Sequence, residues 1–338
     1  MKRVIAALLG LVAIALAIFT VWAWAPDTDT AAMIAKYGGE EARWAEGPDG
    51  FRVHYRVSGP ENGVPVVLIH GTAASLHTWE PLRARLEDRY RVVAYDQPGH
   101  GLTGPHPDRD YTYDGMADGL EAVLAAEGIE RAVLIGNSMG GWVAWRHALA
   151  RPDQVTALVL LDASGIPTEE ASEGNLGFTL MRSGLGRAAM QRLTPRAAVE
   201  ASLRQSVSNE TVVTEAAVDR YWELLRYPGN RQAAGDQFTA PRIDASDRLS
   251  EVMAPTLILW GNEDQLVPVS SAQGFVDRMP NAAAFIYDGV GHLPMEETPD
   301  AVAADIRGFL SGVAAGEPCT FAFVRCAAAP CLCRLGSF

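Results

Sequence analysis

The chain has 338 residues, of which 48% are hydrophobic and 20% are charged, a composition typical of a globular protein. This length suffices for one large α/β domain with an insertion or for two small domains. The 28 basic and 41 acidic residues give a formal charge of −13, which argues against a nucleic-acid partner because phosphates need a basic face. The same charge disfavours anionic substrates, so a neutral small molecule is the expected ligand.

The N-terminus carries a long apolar segment. Residues 4–25 contain no charged side chain, and the basic residues Lys2 and Arg3 precede them. A helix of about 20 apolar residues spans a bilayer, and Trp22 and Trp24 fall where an interfacial aromatic belt would lie. The two positive charges favour an N-terminus that stays inside. Residues 1–25 are therefore predicted to anchor the protein in a membrane, with the rest on the extracytoplasmic, periplasmic side.

A cleaved signal peptide is the alternative interpretation of this segment. Ala23-Trp24-Ala25 has the small-x-small form of a cleavage site, and a cleaved protein would be secreted. Pro26 directly after that site and the length of the apolar run favour the anchor. Residues 26–50 are interpreted as a polar linker.

Short β-rich runs alternate with helical stretches from residue 51 onward. Several runs are continuous in Val, Ile and Leu, as expected of strands that are covered on both faces. The predicted strands are 51–57, 64–69, 91–95, 132–135, 157–161, 256–260 and 284–287. The predicted helices are 79–88, 113–127, 141–150, 271–279 and 301–310. This alternation predicts an α/β core over 51–164 and 248–313, with a mostly parallel central sheet flanked by helices.

The alternation stops over residues 165–247, which are polar, helix-prone and without a strand-like run. A helical insertion that follows a strand predicts a cap over the carboxyl edge of the sheet, where ligands of open α/β sheets bind. The last segment, 314–338, has no clear periodicity, and from Pro318 onward it has no acidic residue. It is interpreted as a disordered or disulfide-linked extension, or as an out-of-frame end.

All four cysteines lie in this tail, at Cys319, Cys326, Cys331 and Cys333. Since the rest of the chain has none, neither the fold nor the chemistry is expected to depend on a disulfide or a thiolate. The tail lacks two spaced CxxC pairs and a nearby histidine, so no zinc site is predicted there.

The motif Gly136-Asn137-Ser138-Met139-Gly140 lies between the predicted strand 132–135 and the predicted helix 141–150. A G-x-S-x-G sequence in that context indicates a sharp turn that exposes a reactive serine hydroxyl. The two glycines leave room in the crowded turn, and the N-terminal amides of the helix point towards developing negative charge. Ser138 is therefore the predicted nucleophile.

A serine hydroxyl needs a base to take its proton. His292 lies in a loop after the last predicted strand and can reach back over the carboxyl edge. Asp264 follows the predicted strand 256–260 and would orient this histidine and stabilise its protonated form. The resulting chain order of serine, aspartate and histidine is typical of this architecture. Glu263 and Asp162, each near the end of a predicted strand, are alternative acids.

Two backbone amides are needed to bind the oxyanion of an acyl-transfer reaction. One is predicted to come from Met139, the residue after the nucleophile. The other is predicted to come from the loop after the strand 64–69, at Thr72, where Gly71 allows a close approach. His70, which begins this loop, is interpreted as holding it in shape.

Together these residues resemble the α/β-hydrolase superfamily over roughly residues 51–310. The segments that match in chain order are His70-Gly71 with Trp79 downstream, Asp96-Gln97-Pro98-Gly99-His100-Gly101, Gly136 to Gly140, and Asp264 with His292. The resemblance implies the α/β-hydrolase fold and a Ser138, Asp264 and His292 triad. It also implies that Asp96, in the family's D-x-P-G-x-G turn, has a structural role.

The resemblance is less specific for the substrate. Dehalogenases and epoxide hydrolases carry an aspartate at the nucleophile position, so Ser138 argues against both. The segment from Gly136 to Gly141 looks like the elbow of meta-cleavage-product hydrolases, which break a C–C bond. This chain departs from them at Leu293, where they usually have an aromatic residue, and in the loop after His70-Gly71, which lacks their glycine- and proline-rich form. Cofactor-free haloperoxidases share the same triad.

The sequence thus predicts a serine hydrolase that cleaves a small to medium, largely neutral and apolar carboxylic ester through an acyl-enzyme on Ser138. Apolar residues in the cap suggest an apolar acyl or alcohol group. No metal or organic cofactor is implied. The alternatives left open are a C–C bond hydrolase, an acyltransferase, and a membrane-tethered receptor that uses the triad to bind a small ligand.

Overall fold

The structure, a computed structural model, describes residues 2–167, 183–241, 243–316 and 324–326. The strands are β1 (Arg43–Glu46), β2 (Arg52–Ser58), β3 (Val64–Ile69), β4 (Tyr90–Tyr95), β5 (Ala132–Asn137), β6 (Val155–Leu161), β7 (Thr256–Gly261), β8 (Ala282–Tyr287) and β9 (Val324–Cys326). The helices are α1 (Lys2–Ala23), α2 (Thr30–Met33), α3 (Glu80–Leu86), α4 (Tyr113–Ala126), α5 (Met139–Ala150), α6 (Gly184–Met190), α7 (Arg196–Gln205), α8 (Glu215–Leu225), α9 (Asn230–Gln237), α10 (Ser270–Val276), α11 (Pro294–Glu297) and α12 (Pro299–Ala315).

The strands form one mostly parallel sheet in the order β1-β2-β4-β3-β5-β6-β7-β8-β9. The pairs β1–β2 and β2–β4 are antiparallel, and the pairs from β4 to β9 are parallel. The register pairs Ile69 with Gly136, and Asn137 with Leu161. The segments after β3, β5 and β6 therefore leave the sheet side by side at its carboxyl edge.

Both faces of the sheet are covered by helices. In β3, Val67 and Ile69 pack in one core cluster, with residues of α4, α5 and α10. Val66 and Leu68 point the other way and pack with residues of α3 and α12. This alternation follows the two-residue period of a strand and explains why the strands are apolar on both sides. The predicted α/β-hydrolase fold class is confirmed.

The segment between β6 and β7 contains the helices α6 to α9 and lies over the carboxyl edge. Its Tyr221 hydroxyl contacts Glu296, and its Gln237 side chain donates to the Pro98 carbonyl oxygen. The sequence predicts the cap over 165–247, and residues 168–182 and 242 of that range lie outside the described residues.

Two strands, β1 and β9, lie outside the core that the sequence predicts. β1 lies inside the expected linker, and Ala45 is its single buried residue, so its four mostly polar residues show no strand pattern. β9 pairs with β8 inside the expected tail. Pairing at a sheet edge uses backbone groups and requires no apolar run. The rest of the tail, 317–323 and 327–338, lies outside the described residues.

The helix α1 is long and apolar enough to cross a membrane, a property that signal sequences share. Its large apolar side chains are exposed along its whole length. The chain that leaves it binds the cap: Ala25 N donates to the Arg192 carbonyl at 2.8 Å, and the buried Arg231 donates to the Ala25 carbonyl at 2.6 Å. Arg231 also pairs with Asp27 at 2.5 Å. The end of α1 is therefore fastened to the cap.

Candidate active site

Ser138 lies on a strained turn between β5 and α5, with φ 54° and ψ −118°. Positive φ is costly for a residue with a side chain, and such strain clusters at functional sites. A Cβ on Gly136 would lie 2.3 Å from the Gly140 carbonyl oxygen, and one on Gly140 would lie 2.0 Å from that of Ile69. Both glycines of the motif are thus required by close backbone approach.

The backbone of this turn is held by β6 and the residues after it. Ser138 N donates to the Leu161 carbonyl at 3.0 Å, and the Ser138 carbonyl accepts from Ser164 N at 3.0 Å and Trp142 N at 3.1 Å. These bonds fix the Ser138 turn at the start of α5, where the helix dipole favours negative charge.

His292 and Asp264 form a buried hydrogen-bonded pair, with 2.7 Å between Nδ1 and Oδ2. The other carboxylate oxygen, Oδ1, accepts from Leu266 N at 2.7 Å and Val267 N at 3.1 Å. Because Asp264 is held from both sides, its Oδ2 orients the imidazole with the proton on Nδ1. This leaves Nε2 available as a base.

The serine turn and the histidine loop are joined by Asn137. Its Nδ2 donates to the His292 carbonyl at 3.0 Å and to the Leu161 carbonyl at 3.2 Å. In the described part of the chain, no hydrogen bond links the Ser138 hydroxyl directly to the His292 ring. Such contacts are often long without substrate and tighten when it binds. The link through Asn137 has no signal in the sequence, since this residue occupies a variable position of the motif.

The loop after β3 touches the serine turn. A Cβ on Gly71 would lie 3.1 Å from Ser138 Cβ, and the Thr72 hydroxyl contacts Met139 Sδ at 3.4 Å. Among the described residues, the amides of Thr72 and Met139 donate to no hydrogen bond. Both amides therefore lie unused beside the serine turn, and their binding of an oxyanion stays a prediction.

His70 holds this loop in one conformation. Its Nε2 accepts from Gln97 N at 3.0 Å, so Nδ1 carries the proton and donates to the Gly71 carbonyl at 2.8 Å. Burial lowers the pKa of His70 and keeps the ring neutral, as this arrangement requires. The geometry agrees with a structural role.

Asp96 also serves the fold. Its carboxylate accepts from Leu76 N and Leu102 N, both at 2.8 Å, and from His54 Nδ1 at 2.7 Å. Burial alone would raise the pKa of Asp96, but the hydrogen bond and the charge of His54 lower it. The resulting ionised carboxylate holds two loops at the carboxyl edge.

Asp162, the alternative acid at the end of β6, lies beside the pair. Its Oδ1 accepts from Gly261 N at 3.0 Å, and ligand atoms of Asp162, Asp264 and His292 lie within 4.8 Å of one another. Burial, and then the charge of Asp264, raise the pKa of Asp162. This spacing would also suit a metal ion. The hydrogen bonds of Asp264, however, arrange it and His292 as a carboxylate–histidine pair, beside a second acid whose raised pKa favours its protonated form. Glu263, the other alternative, is exposed.

Replacing Asp162 with asparagine is expected to increase stability at alkaline pH. An acid whose pKa is raised by folding contributes most stability below its unfolded pKa, about 3.9, and this is lost as pH rises towards the folded value. The asparagine keeps the acceptor for Gly261 N but carries no charge. Urea unfolding should give similar free energies for both proteins near pH 4. At pH 8 the variant should be the more stable of the two. A variant less stable at both pH values would contradict the raised pKa.

Comparison with known proteins places this site in a family. The family model described as "alpha/beta hydrolase fold" matches residues 64–299. This chain belongs to the α/β hydrolases. The chain is 30% identical over 274 residues to the 2-hydroxymuconate semialdehyde hydrolase of Pseudomonas sp. strain CF600, and the match covers 78% of this chain and 91% of that one.

Two solved α/β hydrolases are similar over most of the chain. One is a bacterial membrane phospholipase A, with 27% identity, a TM-score of 0.70 and coverage of 93% of this chain and 99% of that one. The other is an esterase from Rhodococcus sp. ECU1013, with 28% identity, a TM-score of 0.68 and coverage of 81% and 99%. The relatives thus include enzymes that cleave esters and enzymes that cleave C–C bonds.

Proposed function

We propose that this α/β hydrolase is a membrane-anchored serine esterase that cleaves a carboxylic ester with an apolar acyl or alcohol group. The observation that carries the proposal is the His292–Asp264 hydrogen bond beside the strained Ser138 turn. In this proposal a nucleophile, an oriented base and two free amides lie at one edge of the sheet, and these are the groups that acyl transfer requires.

The reaction follows from these roles. His292 Nε2 takes the hydroxyl proton as Ser138 Oγ attacks the ester carbonyl carbon, and the amides of Thr72 and Met139 bind the oxyanion. The tetrahedral intermediate collapses, and the imidazolium gives its proton to the departing alcohol. Water then attacks the acyl-enzyme, with its proton taken by His292 and passed to Ser138 Oγ as the acid leaves. Asp264 stabilises the imidazolium in both halves.

The position of α1 favours an ester presented at a membrane surface. The chain that leaves α1 binds Arg192 and Arg231 of the cap, and the cap lies over the carboxyl edge that carries Ser138. An anchored protein would thus hold its cap beside the bilayer, on the extracytoplasmic side if Lys2 and Arg3 stay inside. The likeness to the membrane phospholipase A spans 93% of this chain and supports an ester with a lipid-like acyl group.

The second candidate is C–C bond hydrolysis, which the 30% identity to the semialdehyde hydrolase favours. The substrate in that enzyme's name carries a carboxylate. This chain has a formal charge of −13, which gives no attraction for an anion, so the ester is the better fit.

The test compares the two reactions in detergent micelles with protein that keeps residues 1–25, because Ala23 and Ala25 are buried and their removal would expose the cap surface that Ala25 binds. The substrates are p-nitrophenyl esters from acetate to palmitate and 2-hydroxymuconate semialdehyde. We expect steady ester turnover with a preference for medium or long acyl chains, and C–C cleavage at least about 100-fold slower in kcat/KM. Faster C–C cleavage would favour the second candidate. A stoichiometric burst without turnover would favour a receptor or a transferase.

A further inference from the structure

The cap touches the catalytic histidine loop through one short turn. Residues 206–209, between α7 and α8, form this turn, which we name the cap turn. His292 N donates to the Ser206 carbonyl at 2.9 Å, so the cap binds the amide of the histidine, while Asn137 of the core binds its carbonyl. A Cβ on Gly291 would lie 2.9 Å from both Val207 Cα and Ser208 N. The two segments are therefore in direct backbone contact.

Glu297, the last residue of α11, closes this contact. Its Oε2 accepts from Ser208 N at 2.8 Å and Asn209 N at 2.9 Å, and its Oε1 accepts from Gly291 N at 3.0 Å. One carboxylate thus receives amides from the cap turn on one side and from the histidine loop on the other. Burial raises the pKa of Glu297, and the hydrogen bonds from the amides of both segments oppose this shift because they favour the ionised, stronger acceptor.

The adjacent Glu296 makes a different contact between cap and core. Its buried carboxyl accepts from the Thr78 hydroxyl at 2.5 Å and the Tyr221 hydroxyl at 3.0 Å. Among the described residues, neither of its oxygens contacts the backbone of the histidine loop. The chain therefore supplies two neighbouring glutamates that both join cap and core, and of the two it is Glu297 that binds beside His292.

We propose that Glu297 is a positioning residue for His292, which it serves by fastening the cap turn onto residues 291 and 292. This inference rests on the proposed function, in which His292 is the base. Asp264 binds the His292 ring, Asn137 binds its carbonyl and the cap turn binds its amide. Loss of the cap-turn contact is expected to turn the imidazole away from Ser138. Lifting the cap turn would break the His292–Ser206 bond and the bonds to Glu297. This part of the cap is therefore a fixed component of the active site and does not open to admit substrate.

The test uses full-length Glu297→Gln and Gly291→Ala, which disturb the junction independently. In Glu297→Gln the side-chain oxygen can accept from the cap turn, but the NH2 group that replaces the second oxygen cannot accept from Gly291 N. In Gly291→Ala the added Cβ pushes the cap turn away without removing a charge. For both we expect kcat to fall 10- to 100-fold with KM within about two-fold. We also expect the acidic limb of the kcat/KM pH profile to move to lower pH, because a displaced imidazolium is less well stabilised by Asp264.

Glu296→Gln is the matched control, and thermal unfolding of all three variants checks that they are folded. Glu296→Gln should lower the melting temperature and leave kcat and the pH profile unchanged. The inference is overturned if Glu297→Gln and Gly291→Ala keep the parent values, or if Glu296→Gln reproduces their losses. The titration of His292 is also followed by proton NMR, which reports on the histidine whether or not the protein hydrolyses esters. A parent without esterase activity would refute the proposed function, whereas an unchanged His292 titration in both variants would refute the positioning role.

Discussion

Ser138→Ala should abolish ester hydrolysis, with kcat reduced by roughly 10⁴-fold or more. The substitution removes the atom that attacks the carbonyl and leaves only the oxyanion amides and substrate binding to assist water. Since alanine is smaller and the turn is held by backbone bonds to Leu161 and Ser164, the fold should be preserved. The measurement is steady-state hydrolysis of the preferred p-nitrophenyl ester, together with labelling by a fluorophosphonate and mass spectrometry of the labelled peptide.

Ser164→Ala provides the matched control. Ser164 lies next to the serine turn, and its buried hydroxyl has no hydrogen-bond partner among the described residues. Removing it should leave kcat within about three-fold, and the label should still attach to Ser138. If Ser138→Ala kept substantial activity, or if the label attached elsewhere, Ser138 would not be the nucleophile.

The sequence predicts the sheet well because its strands are covered on both faces. β3, β5 and β6 consist largely of Val, Ile and Leu, and such runs are stable only in the interior. The serine turn could also be predicted from the sequence, because its two glycines are required. A Cβ on either one would lie only 2.0 to 2.3 Å from a backbone oxygen.

Features that depend on tertiary contacts could not be predicted from the sequence. β1 has a single buried residue, Ala45, and therefore shows no alternation. α5 begins at Met139, two residues before the predicted start, and so includes Gly140 despite the low helix propensity of glycine. The glycine is required there because a Cβ would collide with the Ile69 carbonyl of β3. Asn137 and Glu297 act through hydrogen bonds to backbone groups distant in sequence, and a pattern of residue types does not encode such partners.

The two carboxylates beside His292 make the choice of acid testable. Asp264→Asn should reduce kcat at neutral pH by roughly 10³- to 10⁴-fold, because an asparagine can donate to Nδ1 and so favour the wrong tautomer of the base. It also leaves the imidazolium without its counter-charge. Binding should change little, since Asp264 is buried beneath His292, so KM should stay within about three-fold.

Asp162→Asn is the counterpart of this variant. Both substitutions exchange a carboxylate for an isosteric amide within 4.8 Å of the same histidine, so their difference isolates the role of each acid. Asp162 Oδ1 accepts from Gly261 N, and the raised pKa of Asp162 favours its uncharged form. An amide in its place should keep kcat within about three-fold. The reverse result, with activity lost in Asp162→Asn and kept in Asp264→Asn, would assign the acid to the end of β6. Equal losses would mean that the two carboxylates act on His292 as one coupled unit.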